Sequence, residues 1–191
     1  MPNIKRMGET MRKLKIPQDV LAQMDFEASS TIGNNPMPTI AVINKMDEYL
    51  TDEQKYIVME KEGCCKGGKR DKDCKIFGKE HADKNFAEKL LLFKTVEYMM
   101  LPVLNEDGSF TVTMSGHQNG VHKGKTTCSC GAIKKLKQPF NVSKTYCGCC
   151  AGHFLYHYQN MLGVKLKIKN IKSSPLDTNG EMPCQFTFDV V

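Results

Sequence analysis

The chain has 191 residues, 40% of them hydrophobic, and a formal net charge of +6. That size and apolar content suit a folded domain with a real core and argue against wholesale disorder. The charge is mild, the lysines are dispersed and Trp is absent, which disfavours nucleic acid as a partner. No run approaches the ~20 apolar residues of a membrane span, and no apolar stretch follows the basic N-terminus as in a signal peptide. The expected setting is therefore the reducing cytoplasm, without a membrane partner.

In chain order, Ile4, Met7, Met11 and Leu14 recur at helical spacing among Lys5, Arg6, Arg12 and Lys13, so an amphipathic helix is predicted that Pro17 ends. Ser29 to Pro36 is polar and reads as a loop. A helix is predicted over Thr39 to Leu50. Thr51-Asp52-Glu53-Gln54 has the form of a capping box opening a further helix that carries Tyr56, Ile57 and Met59 and stops at Gly63. Lys66 to Lys75, rich in Gly and Lys, reads as a basic loop holding Cys74. Phe86, Leu90, Phe93 and Met100 mark a helix over roughly His81 to Met100.

Asn105-Glu106-Asp107-Gly108 predicts a hairpin turn. After it, Phe110, Val112 and Met114 alternate with Ser109, Thr111 and Thr113, a buried face against a wet one. His117 to Gly124 reads as a flexible connection, and the chain near Cys128 as extended. Cys149 to Leu162 reads as a helix closed by Gly163. Two final strands follow. In one, Val164, Leu166 and Ile168 alternate with Lys165, Lys167 and Lys169. In the other, Cys184, Phe186, Phe188 and Val190 alternate with Gln185, Thr187 and Asp189. One wet face on each points to an antiparallel sheet. The predicted class is α+β: N-terminal helices, then two antiparallel strand pairs flanking a Cys-rich helix. Residues 1–50 are expected to form a helical extension and 51–191 the α+β, Cys-rich, ligand- or metal-binding domain.

The nine cysteines carry the chemistry. In a reducing compartment they point to metal ligands or reactive thiols rather than disulfides. The candidate ligands are Cys128, Cys130, Cys147, Cys149, Cys150 and His153. Cys149 and His153 lie one turn apart on a helix, and thiolates with imidazole suit zinc first and iron second. A helix N-terminus at Cys147 to Cys150 favours thiolate there. Cys64, Cys65 and Cys74 form a second group, which joins the first or stands alone. Two plainer alternatives stand beside the metal. Some cysteines are small buried hydrophobes, Cys184 above all, because it alternates in phase with Phe186 and Phe188. Otherwise one thiol is a nucleophile with His153 or His157 as its base.

The run Tyr146-Cys147-Gly148-Cys149-Cys150-Ala151-Gly152-His153, then Gly163 to Ile168, then Ser173-Ser174, Gly180 and Cys184-Gln185-Phe186, resembles the vinyl-reductase-type small-ligand domain superfamily. It is most similar to the aminothiazoline-carboxylate hydrolase-like bacterial families and their relatives. The resemblance implies a mixed α/β fold with an antiparallel sheet, a small-molecule pocket and a metal at the cysteines. Two functions follow as expectations. One is a cysteine/histidine metal-binding domain, zinc by first choice, that binds or senses a small organic molecule. The other is a small-molecule hydrolase in which a metal-bound water or a Cys nucleophile attacks and His153 or His157 moves protons. Catalytic residues are not assigned, and a homodimer stays open.

Overall fold

A computed structural model describes residues 2–27, 35–63, 66–93, 99–114, 121–122, 124–134 and 142–191. The first helix, α1 (Ile4–Lys13), begins where the Asn3 side chain accepts from Arg6 N. It buries Ile4, Met7 and Met11, the predicted apolar face. After Pro17 come α2 (Gln18–Ala22) and α3 (Met37–Tyr49). Most of the predicted polar loop, 29–34, lies outside the described residues. The capping box at Thr51 is present in both directions and opens α4 (Asp52–Lys61).

Just past α4, the carboxylate of Glu62 is buried and takes three charge-assisted hydrogen bonds from α1. Arg6 Nε donates at 2.8 Å, Arg6 Nη2 at 2.9 Å and Asn3 N at 2.7 Å. The bidentate fork ties the N-terminal helix to the body.

The basic stretch after Gly67 is a helix rather than a loop, α5 (Gly68–Glu80). Its pairs Lys69–Asp73 (3.1 Å) and Asp71–Lys75 (2.8 Å) stand one turn apart and support the helix from its wet side. Only Cys74 and Phe77 are buried on it, so its apolar stripe is thin. The long helix expected from His81 to Met100 is shorter. His81 caps α5, a turn follows, and Asn85 with Glu88 forms a second capping box that opens α6 (Phe86–Leu92). Residues 94–98 of that expectation lie outside the described residues.

The strands are β1 (Val103–Leu104), β2 (Phe110–Thr113), β3 (Val121–His122), β4 (Lys125–Thr126), β5 (Leu166–Ser173) and β6 (Gln185–Val190). The predicted turn at Asn105 to Gly108 joins β1 to β2. The main sheet is wholly antiparallel in the order β1-β2-β6-β5. The stretch read as a flexible connection, His117 to Gly124, contains β3, which pairs with β4 just beyond it; 117–120 and Lys123 within it are not described. Around Cys128 the chain is irregular instead of extended and leads into the short α7 (Gly131–Lys134).

Two predicted faces need correction. Ser109, Thr111 and Thr187 were placed on the wet side but are only 2%, 8% and 3% exposed, because neighbouring segments rise around them. Val190, read as buried, is exposed at the strand end. In β5 a register shift between Ile168 and Asn170 leaves Lys169 and Asn170 both outward before Ile171 turns back to the core.

The Cys-rich helix is α8 (Gly148–Leu162), preceded by a 3-10 turn at Lys144–Cys147 and closed by Gly163 in the left-handed region at φ 72°. The buried side chain of Lys89 donates to its terminal carbonyl, Leu162 O, at 3.0 Å. One core lies between α8, α5, α6 and the sheet, around Phe93, Phe110, Phe154, Tyr158, Phe186 and Phe188. A second lies between α1–α3, α4 and the 3-10 turn, and includes Ile43, Met46, Met59, Tyr146 and Cys149. Gly148 and Gly152 let α4 reach the backbone of α8. A Cβ on Gly152 would sit 2.5 Å from Glu60 O, and one on Gly148 2.5 Å from Met59 Cβ.

Gly152→Ala is therefore expected to destabilise by about 1–3 kcal/mol in a denaturant titration, although alanine is the better helix former. A gain in stability would show that α4 has room to withdraw. Arg6→Ala should cost about 1–3 kcal/mol, because it leaves the Glu62 carboxylate buried and short of donors. A Glu62→Gln, Arg6→Ala double variant that loses much less would trace the cost to that stranded charge.

Candidate functional site

Three chain segments deliver thiols to the first turn of α8. The 3-10 turn and the helix start carry Cys147, Cys149 and Cys150. Ser143 Oγ accepts from Thr145 N within the turn, and Thr145 Oγ1 donates to Asp47 Oδ1 on α3 at 2.7 Å. The loop after β4 brings Cys128 and Cys130. Cys130 N donates to Cys128 Sγ at 3.4 Å, and Cys130 Sγ lies 3.8 Å from Tyr146 OH. That loop is steadied by Thr126 N donating to Gly180 O at 2.8 Å. The residue just before β6 is Cys184, whose carbonyl accepts from Met114 N.

Cys147 is enclosed completely. Its Sγ stands 2.9 Å from Ser174 Oγ and within hydrogen-bonding reach of the Cys184 thiol. Ser174 Oγ already accepts from Leu176 N, which leaves its own O–H to donate to sulfur. The Cys184 contact and burial hold the Cys147 thiol well above the ordinary range, and Cys150 and Cys128 are also close enough to act on it. Burial pushes Cys128 up to about 12, and its charged neighbours on ionisation would be Cys150, Cys184 and Cys130. Cys150 moves the other way, lowered by a hydrogen bond from the Cys149 thiol. Cys147, Cys184 and the partly buried Cys150 thus pack into one core at the N-terminal end of α8, and Cys128 is near enough for its charge to act on Cys147.

Of the predicted ligands, the structure brings Cys128, Cys130, Cys147, Cys149 and Cys150 into this neighbourhood. Cys149 points into the second core. His153 follows one turn along α8, but its Nε2 lies 2.7 Å from Arg70 Nη1. A guanidinium has only donors, so that nitrogen accepts and the ring is neutral with its proton on Nδ1. His157 packs against His153, ring centroids 4.5 Å apart. His81 stands edge-on to Phe77, ring centroids 4.6 Å apart. Cys74 is buried inside the α5–α8 core and not in a basic loop. Cys64, Cys65 and His117 lie outside the described residues. Among the described residues, no three Cys, His, Asp or Glu side chains stand close enough to share an ion as they are placed. Donor type therefore suits a soft metal, while the sulfurs are gathered without being drawn onto a single point.

Sequence reasoning missed Cys184, Ser174 and Arg70. Strand alternation makes Cys184 look like a core residue, which it also is, at 2% exposure. A signal was present in its place one residue before a strand that leads to the sheet centre. No helix among the described residues is long and apolar enough to cross a membrane. Compared with known proteins, the chain matches no family model, no curated protein and no solved structure.

The Cys74 thiol, raised to about 11 by burial, gives a pH test. An unfolded chain loses that proton near pH 8.5 to 9, whereas the folded one holds it, so folded stability falls as pH rises from about 9 to 11. Replacement by alanine should flatten that fall by up to about 1.4 kcal/mol per pH unit in unfolding experiments. An identical slope in Cys74→Ala would mean that the thiol is not shielded.

Proposed function

We propose that this protein is a zinc-binding domain that binds or senses a small organic molecule, with Cys128, Cys147, Cys150 and Cys184 as the metal ligands. The observation that carries the reading is that Cys147, Cys150 and Cys184, from the start of α8 and from the residue before β6, pack in one core, with Cys128 close enough for its charge to act on Cys147. Four thiolates make a closed tetrahedral site. A dication there would offset the burial that now keeps Cys128 and Cys147 protonated, and the helix N-terminus adds partial positive charge. Closing the site asks the sulfurs to move toward one another, which ties metal loading to the packing of α8 on the sheet. Iron is the second metal that the donor set suits.

A binding role is favoured over hydrolysis by what the surrounding carboxylates do. Glu62 is held by Arg6 and Asn3, Asp47 by Thr145 and Lys55, and Asp177 by Ser174 N. Each is committed to structure, and none is left as a base beside the sulfurs. His153 is committed to Arg70 in the same way.

Elemental mass spectrometry on anaerobically purified protein is expected to find about one zinc per chain. Cys147→Ser, Cys150→Ser and Cys184→Ser should each lower that content and the Tm, whereas Cys74→Ala and His153→Ala keep the metal. Metal-free protein with every thiol open to alkylation after unfolding, and no gain in Tm on adding zinc, would overturn the reading. Retention of zinc in Cys184→Ser would return that residue to the core alone.

A further inference from the structure

The strand alternation that sends Ile171, Phe186 and Phe188 toward α8 sends Asn170, Lys172 and Thr187 to the opposite face of the sheet. On that face a groove of about 870 Å³ runs between α4 and the β1–β2 hairpin. Its size is that of a small-molecule site. The lining is mixed: the exposed Asn170, Lys172 and Glu106 stand beside Leu104 and the Tyr56 ring. Thr187 Oγ1 lies 3.1 Å from Thr111 Oγ1, which also receives Asn105 Nδ2 at 3.2 Å and Lys172 Nζ at 3.3 Å. Asn105 Nδ2 donates to Ser109 Oγ at 2.9 Å, and Tyr56 OH on the α4 side donates to Asn170 Oδ1 at 3.4 Å. These are the hydroxyls found buried where alternation predicts wet positions. Linked to one another they hold fixed directions and make a rigid floor, from which Asn105, Asn170 and Lys172 reach the surface of the groove.

Charge narrows the class of ligand. Asp52 is paired with Lys55 at 2.7 Å, and Asp107 with Lys169 at 2.7 Å; Lys169 is shared with Asp189 at 3.0 Å. Among the described residues that leaves Lys172 and Glu106 as the lining charges outside an ion pair, one of each sign. An anion would gain from Lys172 and lose to the acidic side chains around it. An apolar ligand would take water from the exposed Asn170 carboxamide, Lys172 ammonium and Glu106 carboxylate without replacing it. A neutral ligand with many hydroxyls meets both conditions: its vicinal hydroxyls accept and donate at Asn105, Asn170 and Thr187, and the edge of the Tyr56 ring offers apolar contact.

We propose that this groove binds a neutral polyhydroxylated ligand of the mono- or disaccharide class. The proposal rests on the ligand-binding half of the proposed function and is independent of the metal. The test is a titration of the isotope-labelled full chain as purified, read by amide chemical shifts. The probes are glucose, galactose, N-acetylglucosamine, maltose and lactose, with glucuronate, inorganic phosphate, glycine and adenosine in parallel. At least one neutral saccharide is expected to give saturable shifts at Asn170, Lys172 and Thr187. Asn170→Ala and Thr187→Val should weaken that binding at least about tenfold while metal content and the remaining spectrum stay as they were. If only glucuronate, phosphate, glycine or adenosine saturates, or if a saccharide binds equally well to both variants, the saccharide assignment falls and the ligand-binding reading stands. If no probe saturates, both fall, and the zinc measurement still judges the cysteine centre separately.

Discussion

The close approach of α4 to the backbone of α8 is the constraint on which the rest of the structure depends. Gly148 and Gly152 stand one turn apart and present bare backbone to Met59 and Glu60. At that range the helices meet through main chain, and any side chain larger than hydrogen would push them apart. The same helix is covered elsewhere by α5, α6 and β5, so α8 is buried on nearly every side. Its polar ends therefore have to be satisfied from inside the protein. Lys89 does this at the C-terminal end. At the N-terminal end the Cys147 side chain makes no capping hydrogen bond to the helix, which continues directly from the anchored 3-10 turn.

This arrangement explains why the two cores are joined and not merely adjacent. Cys150 and Leu176 pack against both of them. The fork from Arg6 and the amide of Asn3 fix α1 at the point where α4 ends, two residues before the undescribed Cys64 and Cys65. Gly63 itself lies against Gly152, within the same turn of α8 as Cys149 and Cys150. The N-terminal helices are thus packed against the segment that carries the thiols, through Tyr146 and Cys149 as well as through Glu62.

Elements with a thick apolar stripe or a punctuated end were legible in the sequence. The first helix showed itself by Ile4, Met7 and Met11, α4 by its capping box, α8 by Gly163, and the last strands by their alternation. The α5 helix was not, because Cys74 and Phe77 alone are buried on it and its lysines and glycines resemble a loop. The salt-bridge spacing of Lys69 with Asp73 and Asp71 with Lys75 was the readable sign. Alternation also cannot say whether a wet face is open. Thr111 and Thr187 follow the pattern, yet they are buried, with Thr111 bonded by Asn105 from the adjoining turn and by Lys172 from a distant strand. In the same way the clustering of Cys128, Cys130, Cys147, Cys149 and Cys150 was visible from spacing, while the contact of Cys184 with Cys147 depends on how β6 docks.

Energetics separate a core of neutral thiols from a metal centre more sharply than position does. A buried thiol costs little as long as it keeps its proton, and the elevated Cys147 and Cys128 groups do so readily. Four neutral thiols would, however, gain nothing specific from being gathered at a helix N-terminus, whose partial positive charge acts only on the ionised form. Leucine or valine would fill that layer with more apolar contact and no weakly satisfied sulfur. On the proposed zinc reading the gathering would become favourable once the protons leave, since a dication would then offset two of the charges and α8 about half of another. The lowered Cys150 thiol, held by Cys149, is where such deprotonation would begin.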